Sequence, residues 1–139
     1  MKEELISFET AKLAKEKGFK EEVYAYYNDC NNLDFAGSEW GEISSFEKDF
    51  LFDYNSYKKD PPYDYIFHSA PSQSLLQKWL REKHNIIVEA NYNSSFNYFE
   101  DKIFCPQFYP APTEYQKETH SSYETALEFG LKEALKLIK

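Results

Sequence analysis

Three stretches of the chain carry the spacing of amphipathic helices. In the first, Ala11, Leu13 and Ala14 share a face with Phe8 at its margin, while Glu9, Lys12 and Glu16 line the opposite side. Ser7 can accept hydrogen bonds from the first unpaired N–H groups, and Gly18 can take the left-handed conformation that ends a helix, so the pattern predicts a helix over 7–17. Phe19 then falls where such an ending wants an apolar contact. In the second stretch, Leu75, Leu76, Trp79 and Leu80 form a buried stripe behind Ala70-Pro71-Ser72, with Ser72 or Ser74 as the cap. Lys78, Arg81, Lys83 and His84 crowd its last turn, where the helix dipole favours cations, so His84 is expected to be a C-terminal cation, with Asn85 as the terminator. The third helix closes the chain. Ser121-Ser122-Tyr123-Glu124 reads as a capping box, and one face runs from Tyr123 through Leu127, Leu131 and Ala134 to Ile138.

Between these helices the period drops to two. Residues 86–92 read as a strand with Ile86, Val88 and Ala90 on one face and Ile87, Glu89 and Asn91 on the other, wetter one. Asn93-Ser94-Ser95 is turn chemistry, 96–99 alternates, Glu100-Asp101-Lys102 reads as a second turn, and 103–105 resumes. Pro106, Pro110 and Pro112 then bar a central strand. Earlier, 22–27 reads as a strand and 28–32 as its turn. A structureless loop over 28–69 is out of keeping with a compact domain, so strands are placed at 33–35, 48–54 and 63–67. Short links favour antiparallel pairing. The expected fold is a single α+β domain over 1–139: a twisted antiparallel sheet with about three helices on one face, in two layers, with a Tyr-rich central segment at about 28–69.

Composition sharpens this picture. Aromatic residues make up 19% of the chain, 12 Tyr, 12 Phe and 2 Trp; Phe can fill a core built on sheet freely. Tyr needs a partner or water for its hydroxyl, so many rings are expected to be half-exposed. Tyr mixed with Ser and Asn makes adaptable protein-binding surfaces. Trp40, Tyr54, Tyr57, Tyr63 and Tyr65 are the candidate binding residues on that ground; the alternative is that they cover the second face of the sheet. Phe129 lands about 200° from Leu127 on a helical wheel, on the charged side. It is expected either to pack under the central segment or to form a self-association surface that makes a homodimer.

A net charge of −8 disfavours a partner bound through its phosphates, whether nucleic acid or anionic lipid. The longest apolar run, Val23 to Tyr27, is far too short to span a membrane, and the first residues lack the apolar stretch of a signal peptide. Cys30 and Cys105 are far apart in sequence and are expected to be reduced thiols in a cytoplasmic protein.

Motifs that carry chemistry fail one by one. No Gly-Lys-Ser/Thr exists to cradle a phosphate. A calcium-loop pattern starting at Asp53, with Asn55 and Asp64, breaks where Lys58 stands in place of the turn glycine and Pro61-Pro62 stiffen the rest. The serine–lysine spacings at Ser45/Lys48 and Ser56/Lys59 lack companion motifs. His68, His84 and His120 include no helical metal pair. No cofactor and no metal are therefore expected, and no catalytic residue is assigned. Two alternatives stay open: a small hydrolase using a carboxylate pair or Cys105 with His68 or His120, and an acidic DNA mimic that inhibits a host protein.

The run from Ala70-Pro71-Ser72 through Leu75-Leu76-Gln77-Lys78-Trp79-Leu80 to Asn85-Ile86, together with Tyr123-Glu124-Thr125-Ala126-Leu127-Glu128, resembles a family of small uncharacterised proteins encoded in gut-bacterial genomes and their phages or prophages. The first helix, ending in Lys17-Gly18-Phe19, fits as well. The resemblance covers the helices and the start of the strand region, not 28–69. It implies a phage or mobile-element context and brings no activity. The expectation is a non-catalytic intracellular binding module that engages a protein through an aromatic, acidic surface.

Overall fold

The protein is seen in a computed structural model that describes residues 4–35, 51–56, 66–94, 98–104 and 119–138. It is an α+β fold whose chain divides into two compact units. One is Leu5–Pro71, and the other is Ser72–Lys139 with Met1–Glu4.

In the unit Leu5–Pro71, helix α1 (Phe8–Glu16) begins where the Ser7 hydroxyl accepts the Thr10 N–H. It ends as expected. Gly18 sits at φ 92°, its N–H donates to the Lys15 carbonyl, and the N–H of fully buried Phe19 donates to the Ala14 carbonyl. Strands β1 (Ala25–Asn28), β2 (Leu33–Phe35) and β3 (Phe67–Ser69) form an antiparallel sheet in the order β2-β1-β3. Asn28 makes the first reversal: its side-chain oxygen accepts the N–H groups of Cys30 and Asn32, while Asn31 takes φ 64°.

The strand expected over 48–54 does not form in its described part. Phe52 makes a single bridge to Val23, and the Asp53 carboxylate then accepts the N–H groups of Asn55 and Ser56, turning the chain into a short 3₁₀ helix, Tyr54–Ser56. Positions 48–50 and 63–65 lie outside the described residues.

In the other unit, α2 (Gln73–His84) is capped by Ser72, which accepts the Leu75 N–H, and ends at left-handed Asn85. Strands β4 (Ile87–Asn93), β5 (Tyr98–Phe104) and β6 (Thr119–His120) pair antiparallel in the order β4-β5-β6, and α3 (Tyr123–Lys136) lies against β4 and β5. Ile86 and Val88 are buried, whereas Glu89 and Asn91 are exposed, as the alternation requires.

Three expectations need correction. First, Glu100-Asp101-Lys102 is not a turn; β5 runs straight through it, with Asp101 opposite Ala90 on the buried side. Second, α3 is capped by Ser122 rather than Ser121. The Ser122 hydroxyl accepts the Thr125 N–H and donates to the Thr125 hydroxyl, so the box starts one residue later, Tyr123 is exposed, and Ala126 and Leu135 join the buried stripe. Third, the described strands make two sheets rather than one. At the edge of the first sheet, the Ser69 N–H of β3 donates to the side-chain oxygen of Asn55.

His84 stands in the last turn of α2, as expected. Its ring packs against Trp79 with centroids 4.6 Å apart, and burial pushes its pKa below the usual 6.5. Between the lowered folded pKa and 6.5 the unfolded chain binds more protons at this site, so stability contributed by His84 rises with pH across that interval and levels off above it. The urea midpoints of the wild type and His84→Gln, compared at pH 5 and pH 7.5, should show a shallower rise in the variant. Equal rises would mean that His84 titrates alike in both states.

Candidate functional site

The register of β2-β1-β3 sorts its side chains into two faces. Tyr27 lies opposite His68 and Leu33, and α1 covers this side: the Phe8 ring stands 5.6 Å from both Tyr27 and His68, and the Tyr27 hydroxyl donates to the Ile6 carbonyl. On the other face Tyr26 lies opposite Asp34 and Ser69, and Asn28 opposite Phe67. That face carries a cluster of rings. Tyr26 is 4.4 Å from Tyr54 and 4.8 Å from Phe67, and Phe52 is 5.3 Å from Tyr54.

Backbone contacts lock the cluster in place. Asn55 donates from its side chain to the Phe19 carbonyl at 2.9 Å, accepts the Ser69 N–H at 2.8 Å, and donates its own N–H to the Ser69 hydroxyl. Tyr54 is thereby pinned beside β3. Phe52 nevertheless keeps 46% of its surface exposed, and Ile66, next to Phe67, keeps 48%. At the opposite side of β3, the Lys15 ammonium donates to the Phe67 carbonyl at 2.7 Å. Burial lowers its pKa, against the pull of the Asp29 and Asp53 carboxylates toward the cation.

The surroundings are acidic. Leu5–Pro71 holds 13 acidic against 7 basic side chains, so −6 of the net −8 falls in this unit. The rings touch one another at these centroid distances. The exposed surface of Phe52 and Ile66 is an apolar contact area of the kind that suits a protein partner.

Of the residues singled out from sequence, Tyr54 belongs to this cluster. Trp40, Tyr57, Tyr63 and Tyr65 lie outside the described residues. Phe129, in the other unit, is half-buried with its ring 5.2 Å from His120. Tyr26, Phe52 and Phe67 were not singled out. Tyr26 sits inside the longest apolar run and reads as core; its two-residue offset from Asn28 on a short strand is the signal that places it on the open face.

Two histidine–carboxylate pairs also form. His68 meets Asp29 at 2.9 Å, and His120 meets Asp101 at 3.2 Å. Cys30 is exposed, and Cys105 lies outside the described residues. Among the described residues, no three His, Cys, Asp or Glu side chains converge as a metal site, and no helix is long and apolar enough to cross a membrane. No family model, curated protein or solved structure matches the chain.

Proposed function

We propose that this protein is a non-catalytic binding module of the cell interior, docking a protein partner on the aromatic face of β2-β1-β3. The observation that carries the proposal is the contact cluster of Tyr26, Phe52, Tyr54 and Phe67, held rigid by Asn55 while Phe52 stays half-exposed. Rigid rings supply a large contact area at low entropic cost, which is why aromatic anchors dominate binding hot spots. The acidic balance of the same unit selects a partner of opposite charge. The resemblance to phage- and prophage-encoded chains supplies the setting, a mobile element whose product acts on a protein of its bacterial host.

The test places a photo-cross-linking benzoyl-phenylalanine at position 52, in cells of the source organism. A discrete adduct, identified by mass spectrometry and suppressed by Tyr54→Ser, is expected. The same probe at exposed Glu82 on α2 should give none. Phe52→Ser should weaken capture of the identified partner by tenfold or more, while stability changes by under about 1 kcal/mol, as for exposed sites generally. No adduct, or the same adduct from both positions, sinks the proposal.

A further inference from the structure

We propose that Lys15 is a modification site whose ε-amine takes an acyl group from an activated donor, an acyl phosphate or an acyl thioester, and that the modification loosens the aromatic face. The loosening rests on the docking function proposed above; the modification does not.

Lys15 stands in the last turn of α1 and is half-buried, so part of its side chain stays open to solvent. Its ammonium donates to the Phe67 carbonyl at 2.7 Å and is drawn to two carboxylates, Asp29 in the β1–β2 turn and Asp53 ahead of the short helix Tyr54–Ser56. His68, which follows Phe67 on β3, is bound to Asp29. Burial outweighs both carboxylates and holds the amine below its usual 10.5. At neutral pH a larger fraction of Lys15 is therefore unprotonated than of a lysine in water. Only that form has the lone pair with which an amine attacks a carbonyl carbon. It also keeps N–H groups that can donate to the Phe67 carbonyl, so loss of the proton does not cost the amine its anchor.

In the reaction the nitrogen lone pair forms a bond to the acyl carbon. The bond from that carbon to the phosphate oxygen or the thioester sulfur breaks, the leaving group departs with the electron pair, and one amine proton passes to water. The product is an uncharged amide.

That loss of charge reaches the docking face. Phe67 carries one ring of the cluster, and Asp53 stands in the chain between Phe52 and Tyr54, which carry two more. Lys15 is thus a positioning residue for three of the four rings. The amide has a single N–H left and no attraction for Asp29 or Asp53.

The test incubates the full chain with acetyl phosphate and, separately, with acetyl-coenzyme A between pH 7 and pH 10, and follows each lysine by mass spectrometry. At pH 7 Lys15 should be acetylated several-fold faster than Lys20 and Lys78, both exposed, and its rate should level off at a lower pH than theirs. A preference seen with one donor alone identifies the source of the acyl group. Equal or slower reaction at Lys15 with both donors, or a rate that climbs in parallel with theirs up to pH 10, overturns the modification. Lys15→Gln and Lys15→Met, both uncharged, should lower the yield of the position 52 cross-link several-fold with the far-UV circular dichroism retained, and Lys15→Arg should restore most of it. An unchanged yield in either uncharged variant overturns the loosening. If Lys15 is acetylated selectively while the wild type gives no cross-link, the modification stands and the docking function falls. If the cross-link forms and Lys15 reacts no faster than Lys20, the docking function stands and the modification falls.

Discussion

Trp79→Ala is expected to lower the free energy of unfolding by about 3–5 kcal/mol, the range for deleting a large buried aromatic side chain. Trp79 is 6% exposed and sits on α2 between Leu76 and Leu80, both fully buried. Its indole also forms the wall against which His84 packs. Truncation therefore has a second, independent readout. With the indole gone, His84 regains solvent, and its pKa should climb back toward 6.5, since burial is what holds it down. Urea unfolding at pH 7 measures the first effect and an NMR titration of His84 the second. Trp79→Phe, which keeps most of the buried area, should retain most of the stability. A loss under about 1 kcal/mol with an unmoved His84 would place the ring at the surface.

The helices were legible because their signals are local. Ser7, Gly18, Ser72 and Asn85 act on groups within a few residues, and each behaves as its chemistry requires. The face assignment of β4 was legible for the same reason, since Val88 and Glu89 differ sharply in polarity. What failed depended on distant partners. Asp101 looks like turn chemistry between Glu100 and Lys102 until His120 is brought to it from nineteen positions away. The alternation of Phe99, Asp101 and Ile103 against Glu100 and Lys102 was there to be read, but a carboxylate on the inward face is costly unless paired, and its partner lies beyond the reach of any local pattern. The bond from the Ser69 N–H to Asn55 was hidden likewise, because nothing in the sequence of β3 shows that Asn55 will meet it. The candidate site was half legible. An aromatic excess around Tyr54 announces a surface, whereas Tyr26 and Phe67 join it only through strand register.

Asp101→Ala should cost about 2–5 kcal/mol, a range that spans the loss of a hydrogen bond to a charged group and the break-up of a buried ion pair. Asp101 is fully buried in the middle of β5, and its carboxylate meets the imidazole Nε2 of His120, itself buried on the two-residue strand β6. Helix α3 lies directly on this spot. A Cβ added at Gly130 would come within 3.2 Å of the Asp101 Cβ and 2.9 Å of a Val88 methyl, so the helix backbone is already in contact with the strand. The small residues Ala126, Gly130 and Ala134 in the buried stripe of α3 follow from that closeness. Truncation at 101 thus opens a gap beneath a rigid helix and leaves the His120 ring without its carboxylate, two penalties that the site cannot relax away. Asp101→Asn keeps the shape and an oxygen that can accept from Nε2, so it should cost clearly less than Asp101→Ala. The decisive measurement is a double-mutant cycle of Asp101→Ala with His120→Ala, read by urea unfolding at constant pH. A coupling of at least about 1 kcal/mol is expected for two side chains in one buried contact. Additive losses would mean that β6 is held to β5 by its backbone alone and that the pair contributes nothing of its own.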